Sequence, residues 1–166
     1  SGGFSCYALA AGATHVTSVD ISADALKLCD ENVALNGFEK GSHKSVTSDV
    51  FAYLNKVFDK KELFDVVVVD PPAFVKSQKD LETALKAYTQ LNAQVLKILK
   101  PGGILVSSSC SSYVTPELFQ KALFQAAIRS EADLVILEQR SQPFDHPLRL
   151  FFPEGQYLKF FVLRKS

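Results

Sequence analysis

The chain has 166 residues, enough for one domain with a single sizeable core, and its 47% hydrophobic and 22% charged residues are ordinary for a globular α/β protein. Eighteen basic residues balance eighteen acidic ones. That balance argues against a chain that grips nucleic acid by bulk charge alone, and leaves open an enzyme whose binding surface lies in another domain. Three widely spaced cysteines, Cys6, Cys29 and Cys110, make neither a metal cluster nor a disulfide framework, so a reduced, cytoplasmic setting is expected. His15, His43 and His146 are too dispersed for a metal site. No apolar run approaches a membrane span, and the start carries no signal-peptide pattern.

Ser1-Gly-Gly-Phe4 reads as a strand-to-helix turn with no strand before it, the mark of a fragment or of numbering that omits upstream residues. Phe4 to Ala11 is a short helix stopped by Gly12. His15 to Asp20 is β-rich and ends in a carboxylate. Ser22 can cap the next helix, where Ala25, Leu28, Cys29 and Val33 recur at helical spacing until Asn36-Gly37. Lys44 to Ser48 is a weaker strand, followed by Asp49 and a helix over Val50 to Val57. The run Phe64 to Asp70, with four consecutive valines, fits a central strand buried on both faces.

A long helix from about Leu81 to Leu99 is broken by Pro101-Gly102-Gly103, which turns the chain into the strand Ile104 to Cys110. Thr115-Pro116 starts another helix, cap then first-turn proline, that runs to about Ser130. Leu134 to Gln139 and Tyr157 to Leu163 are the last strands, joined by a loop punctuated by Pro143, Pro147, Pro153 and Gly155. Alternating strands and helices imply one α/β domain over residues 1–166 with a doubly wound, mostly parallel sheet. Lacking a helix between them, the last two strands should pair as an antiparallel hairpin.

Ligands of open α/β sheets sit beyond the carboxyl ends of the strands, so residues at those ends are the candidates. Gly2-Gly3 at a helix start can bring backbone N–H groups close to a ligand, although no G-x-G-x-x-G is present and a tight turn explains them equally well. Asp20 follows about seventeen residues after Gly3, near where an acid meets ribose hydroxyls; the plain alternative is a helix cap. Asp49 can accept from an adenine amino group or cap its own helix. Asp70-Pro71-Pro72-Ala73-Phe74 is more telling, because it sets a carboxylate, two prolines of fixed φ and an aromatic ring at one strand end. Such a loop can hold a flat substrate against an acceptor. Cys110 lies among hydroxyls in Ser107-Ser-Ser-Cys-Ser-Ser112, and a thiol at a ligand-facing edge is intrinsically nucleophilic. Cys6 and Cys29 read as packing residues. His146, in Asp145-His-Pro147, either shapes the pocket or is structural.

Taken in order, Gly-Gly, Asp20, Asp49, Asp-Pro-Pro-x-Phe, Ser-Cys-Ser and the closing Asp-His-Pro…Pro-Glu…Tyr-Leu-Lys resemble the class I S-adenosylmethionine-dependent methyltransferases. The resemblance is strongest to the bacterial enzymes that make 5-methylcytosine in large-subunit ribosomal RNA. It implies a Rossmann-like methyltransferase sheet whose first strand is absent here, with S-adenosylmethionine as cofactor and ribosomal RNA as substrate. It involves neither metal nor membrane, and a homodimer is left open. Residue by residue, it implies that Ser1, Gly2, Gly3 and Phe4 wrap the methionine part of the cofactor. Asp20, Ile21 and Ser22 would serve the ribose, Asp49 and Val50 the adenine. Asp70, Pro71, Pro72 and Phe74 would hold the target base beside the cofactor, with His146 near it, and Cys110 would be the nucleophile. Three other readings compete: methylation of guanine or an exocyclic amine, a nicotinamide-dependent dehydrogenase, and a non-catalytic fragment of methyltransferase fold. Absence of G-x-G-x-x-G and the terminal hairpin both count against the dehydrogenase.

Overall fold

The computed structural model describes residues 1–39, 41–75, 78–152 and 155–166. Pro153 and Glu154 of the closing motif lie outside the described residues. Where the sequence reads as one domain, the backbone divides into two compact units, Ser1–Lys56 and Val57–Ser166.

In the first unit, α1 (Gly3–Ala10) follows a left-handed Gly2 at φ +81°. Strand β1 (Val16–Asp20) runs on through α2 (Ala23–Leu35) to β2 (His43–Thr47), and the two strands pair in parallel from Val16–His43 to Asp20–Thr47. The helix starts where expected because the Ser22 hydroxyl accepts from the Ala25 amide at 3.2 Å, and it ends at Asn36 with Gly37 at φ +73°. Its buried stripe is Leu26, Cys29 and Val33, so Leu28, expected inside, turns outward at 47% exposure. At about 100° per residue, Leu28 sits a quarter-turn away from Cys29 and cannot share its face. Leu9, Cys29 and Val33 form the core of this unit, with Cys6, Val16 and Phe38 packed on it. Both cysteines are packing residues, as expected.

α3 (Val50–Asp59) carries the chain into the second unit. There follow β3 (Phe64–Val69), α4 (Leu81–Ile98), β4 (Leu99–Ser109), α5 (Pro116–Arg129), β5 (Leu134–Arg140) and β6 (Lys159–Lys165). Their sheet has the order β3-β4-β6-β5. The pair β3–β4 is parallel, whereas β6 runs antiparallel to both β4 and β5. The terminal hairpin forms as expected, and its second strand inserts between β4 and β5.

Two sequence expectations change here. β3 lies at the edge of its sheet, with Val66 and Val68 exposed at 55% and 40%, so it is not buried on both faces. An apolar run records affinity for a covered face without saying how many faces are covered. Nor does Pro101-Gly102-Gly103 separate helix from strand. β4 begins at Leu99 opposite Phe64, bulges outward through Lys100 to Gly103, and resumes pairing at Val66–Ile104.

The core of this unit runs along stacked rings. Tyr88 on α4 meets Phe119 on α5 edge-on at 5.3 Å, and Phe119 meets Phe161 on β6 at 5.8 Å, all three fully buried. Thr115 caps α5 by accepting from the Leu118 amide. At the other end of α4, Lys165 Nζ donates to the carbonyls of Leu96 and Leu99, which a helix C-terminus leaves without partners.

Candidate functional site

The site in the second unit follows from strand direction. Parallel strands emerge at the same sheet edge, and the register Val69–Ser107 puts Asp70, just past β3, beside Ser108 of β4. The Ser108 hydroxyl donates to Asp70 Oδ1 at 2.5 Å and also reaches the Val69 carbonyl at 3.3 Å. Asp70 itself is exposed, a fixed acceptor facing outward. Two residues after Ser108 comes Cys110, half-buried rather than walled into the core.

Beneath these groups lies a satisfied polar layer. Asn92 accepts from the Ser107 hydroxyl at 2.8 Å and donates to the Tyr88 carbonyl at 2.8 Å. Ser109 Oγ donates to the Tyr88 hydroxyl at 3.0 Å, and the Phe74 backbone amide also hydrogen-bonds that oxygen. Burial pushes the Tyr88 hydroxyl above its ordinary pKa, while those hydrogen bonds work against the shift. Coulombic interaction with Cys110 and with Asp70 reinforces it, which sets all three groups in one electrostatic neighbourhood. Phe74 is half-buried, its ring tilted against Tyr88 at 4.8 Å; Pro71 is half-buried and Pro72 exposed.

Sequence reasoning gave no role to two residues at this edge, Tyr88 and Lys159, the second quoted only as the end of Tyr-Leu-Lys. Lys159 is only 3% exposed; its ammonium donates to the carbonyls of Ser111 and, at 2.7 Å, Tyr157. A lysine heading the apolar run Phe160 to Leu163 was the available signal for it. Nothing in the sequence singled out Tyr88 from its neighbours on α4. The Ser111 hydroxyl is buried and has no hydrogen-bond partner among the described residues, a cost of about 1–3 kcal/mol that functional sites tend to carry. His146 sits in the exposed loop after β5, its Nδ1 3.0 Å from Asp145 Oδ1 and its amide donating to the Pro143 carbonyl. That pairing holds the Asp145 carboxyl below its usual range.

The expected cofactor residues of the first unit take up local structural roles that leave a ligand face open. A Cβ on Gly2 would stand 2.6 Å from Cys29 Sγ, so this turn admits only glycine, whereas one on Gly3 would meet nothing within 4 Å. Asn32 Nδ2 ties the turn down by donating to the Ser1 carbonyl at 2.7 Å, and Phe4 is exposed. Asp20 stands exposed at the end of β1, one oxygen accepting from the Ser22 amide at 2.8 Å, with Ile21 exposed beside it. Asp49 performs the capping role weighed against adenine binding, its Oδ1 accepting from the Ala52 amide at 3.0 Å, and Val50 follows it on the surface. The open space at Gly3 and the exposed carboxylate of Asp20 suit a ligand carrying amino-acid and ribose groups. Among the described residues no cluster of His, Cys, Asp or Glu could hold a metal ion, and no helix is long and apolar enough to cross a membrane.

A family model described as S-adenosylmethionine-dependent methyltransferase matches residues 1–149. The ribosomal RNA large subunit methyltransferase I of Klebsiella pneumoniae (strain 342) is 43% identical over 164 residues, covering 99% of this chain and 41% of that protein. Thus the chain spans about two fifths of the length of the curated relatives it matches. A S-adenosylmethionine-dependent methyltransferase structure from Streptococcus mutans superposes with a TM-score of 0.85 at 26% identity, over 97% of this chain and 41% of that one. A further methyltransferase structure, solved in complex with SAH, gives the same TM-score at 25% identity over 97% of this chain and 42% of its own. These likenesses agree with a Rossmann-like α/β fold for the chain.

Proposed function

We propose that this chain, which belongs to the S-adenosylmethionine-dependent methyltransferase family, methylates C5 of a cytosine in large-subunit ribosomal RNA through a cysteine adduct. The observation that carries the proposal is the delivery of Asp70 and Cys110 to one sheet edge by two parallel strands, with Asp70 locked to Ser108. The name of the Klebsiella relative supports a ribosomal RNA substrate. We read both units as one methyltransferase domain, since the family match runs without interruption across their boundary.

Cytosine C5 is too weak a nucleophile to take a methyl group unaided. Cys110 Sγ adds to C6 as the thiolate, a C–S bond forms, and the ring electrons move to make C5 enamine-like. Asp70 holds a proton at N3 and so neutralises the charge that grows on the ring. S-adenosylmethionine, the cofactor of the family, supplies the electrophilic methyl group that the activated carbon takes. A base then removes the C5 proton, the C–S bond breaks, and the electron pair returns to sulfur. Pro71, Pro72 and Phe74 form the rigid wall against which an unpaired base lies, and an aromatic stack of this kind is worth roughly 1–3 kcal/mol. His146 borders the same base, in a loop whose exposed Phe144, Phe151 and Phe152 are suited to stacking on single-stranded RNA. In the first unit, Ser1, Gly2, Gly3 and Phe4 hold the methionine part of the cofactor. Asp20, Ile21 and Ser22 hold the ribose, while Asp49 and Val50 hold the adenine. The open space at Gly3 and the exposed carboxylate of Asp20 support this division.

The test is a trap. Large-subunit ribosomal RNA transcribed with 5-fluorocytidine is incubated with the protein and S-adenosylmethionine, then run on a denaturing gel. Fluorine at C5 cannot leave as a proton does, so the wild-type protein should remain bonded to the RNA. Cys110→Ala should give neither adduct nor methylated product, with cofactor affinity retained. Normal methylation by Cys110→Ala, or label found on guanine or an exocyclic amine, would overturn the reading.

A further inference from the structure

Inserting β6 antiparallel beside β4 delivers the first residue of β6 to the edge where β4 ends. Lys159 pairs with Ser109, the residue before Cys110, and its amine is bonded to the carbonyl of Ser111, the residue after. The amine therefore lies against the segment that carries Cys110. Few lysines are buried this deeply without a carboxylate partner, yet the partners of Lys159 among the described residues are two backbone carbonyls. A neutral amine has two N–H donors and one lone pair. Two carbonyls engage both donors, and the lone pair is the valence that remains.

We propose that Lys159 is the base that takes the thiol proton of Cys110: the S–H bond breaks, an N–H bond forms, and a thiolate–ammonium pair results. No other reagent is needed. The resulting ammonium keeps its two carbonyl bonds and gains a third N–H for the sulfur anion. Ser111, buried beside it with its hydroxyl unpartnered, has a donor to spare for the same anion. Burial lowers the Lys159 ammonium to about 8 while the Cys110 thiolate opposes the shift, so the amine can exchange a proton near neutral pH.

This inference rests on Cys110 being the nucleophile proposed above, so its test reads the sulfur and not methyl transfer. The rate of Cys110 alkylation by iodoacetamide is followed by mass spectrometry of its peptide, at pH 7 and at pH 10. An exposed thiol is ionised at pH 10 without help, so the ratio of the two rates isolates assisted deprotonation from access. The wild-type ratio should exceed that of Lys159→Met by about tenfold. Equal ratios in the two proteins would overturn the assignment. Should Lys159→Met fail to fold, the wild-type protein decides alone: its ratio must exceed that of the same chain unfolded in urea, and equality there also overturns the assignment. Neither outcome depends on which nucleotide is methylated.

Discussion

Alanine at Gly2 should unsettle the protein, while alanine one residue later should not. Gly2 has φ +81°, where an alanine costs about 1–2 kcal/mol because its Cβ crowds the following carbonyl. Its Cβ would also stand 2.6 Å from Cys29 Sγ and 3.0 Å from Cys29 Cα. A side chain can swing aside, but Cα belongs to the backbone of α2, so the helix itself would have to move. Overpacking of that kind costs about 1–3 kcal/mol, for a combined loss of roughly 2–5 kcal/mol. Gly3, by contrast, opens α1 with empty space at its Cβ, and alanine is the better helix former by about 1 kcal/mol. Urea unfolding followed by circular dichroism measures both. Gly3→Ala should match or exceed the wild type in stability. It should nonetheless bind S-adenosylmethionine more weakly, because its new methyl group occupies the open side of the turn. If Gly2→Ala loses less than about 1 kcal/mol, or the two variants behave alike, the turn is not shaped by Cys29 and the reasoning fails.

Tyr88→Phe should cost about 1–3 kcal/mol in the same assay, because the fully buried Ser109 hydroxyl and the Phe74 amide both lose their acceptor. A loss within error of zero would mean that water or another group takes over. Stability should also depend on pH through Lys159, whose folded-state value of about 8 lies below the unfolded one. Between about pH 8 and 10 the unfolded chain binds more protons there, so stability rises with pH, by roughly 2–3 kcal/mol over that window. Burial of Lys165 acts with the same sign, and the raised Tyr88 opposes it only above about pH 10. Urea titrations at several pH values should show a shallower slope in Lys159→Met than in the wild type; identical slopes would refute a buried charge at this position.

Helix starts were legible because their causes are local. Ser22 and Thr115 bond amides three residues on, and no distant part of the chain is needed for that. Strand identities were legible from composition, as was the terminal hairpin from its missing crossover. Asp70 and Cys110 could be named as candidates since each ends a strand in a sheet whose strands were expected to run parallel. The exposed face of β3 and the bulge in β4 were not legible, because both depend on which strand lies alongside and at what register. Asp49 shows the same limit in reverse: a carboxylate at a helix start looks alike in sequence whether it caps the helix, awaits a ligand or does both, and the structure supplies the cap.

Local chemistry thus wrote the helices, the strands and the two strand-end residues on which the proposed reaction depends. Tertiary structure alone decided that β6 enters between β4 and β5, bringing Lys159 against the Ser111 carbonyl, and that the Tyr88 hydroxyl stands against Ser109. Sheet order arises from competition among many surfaces to be buried, summed over the whole unit, and no short stretch of residues carries that sum.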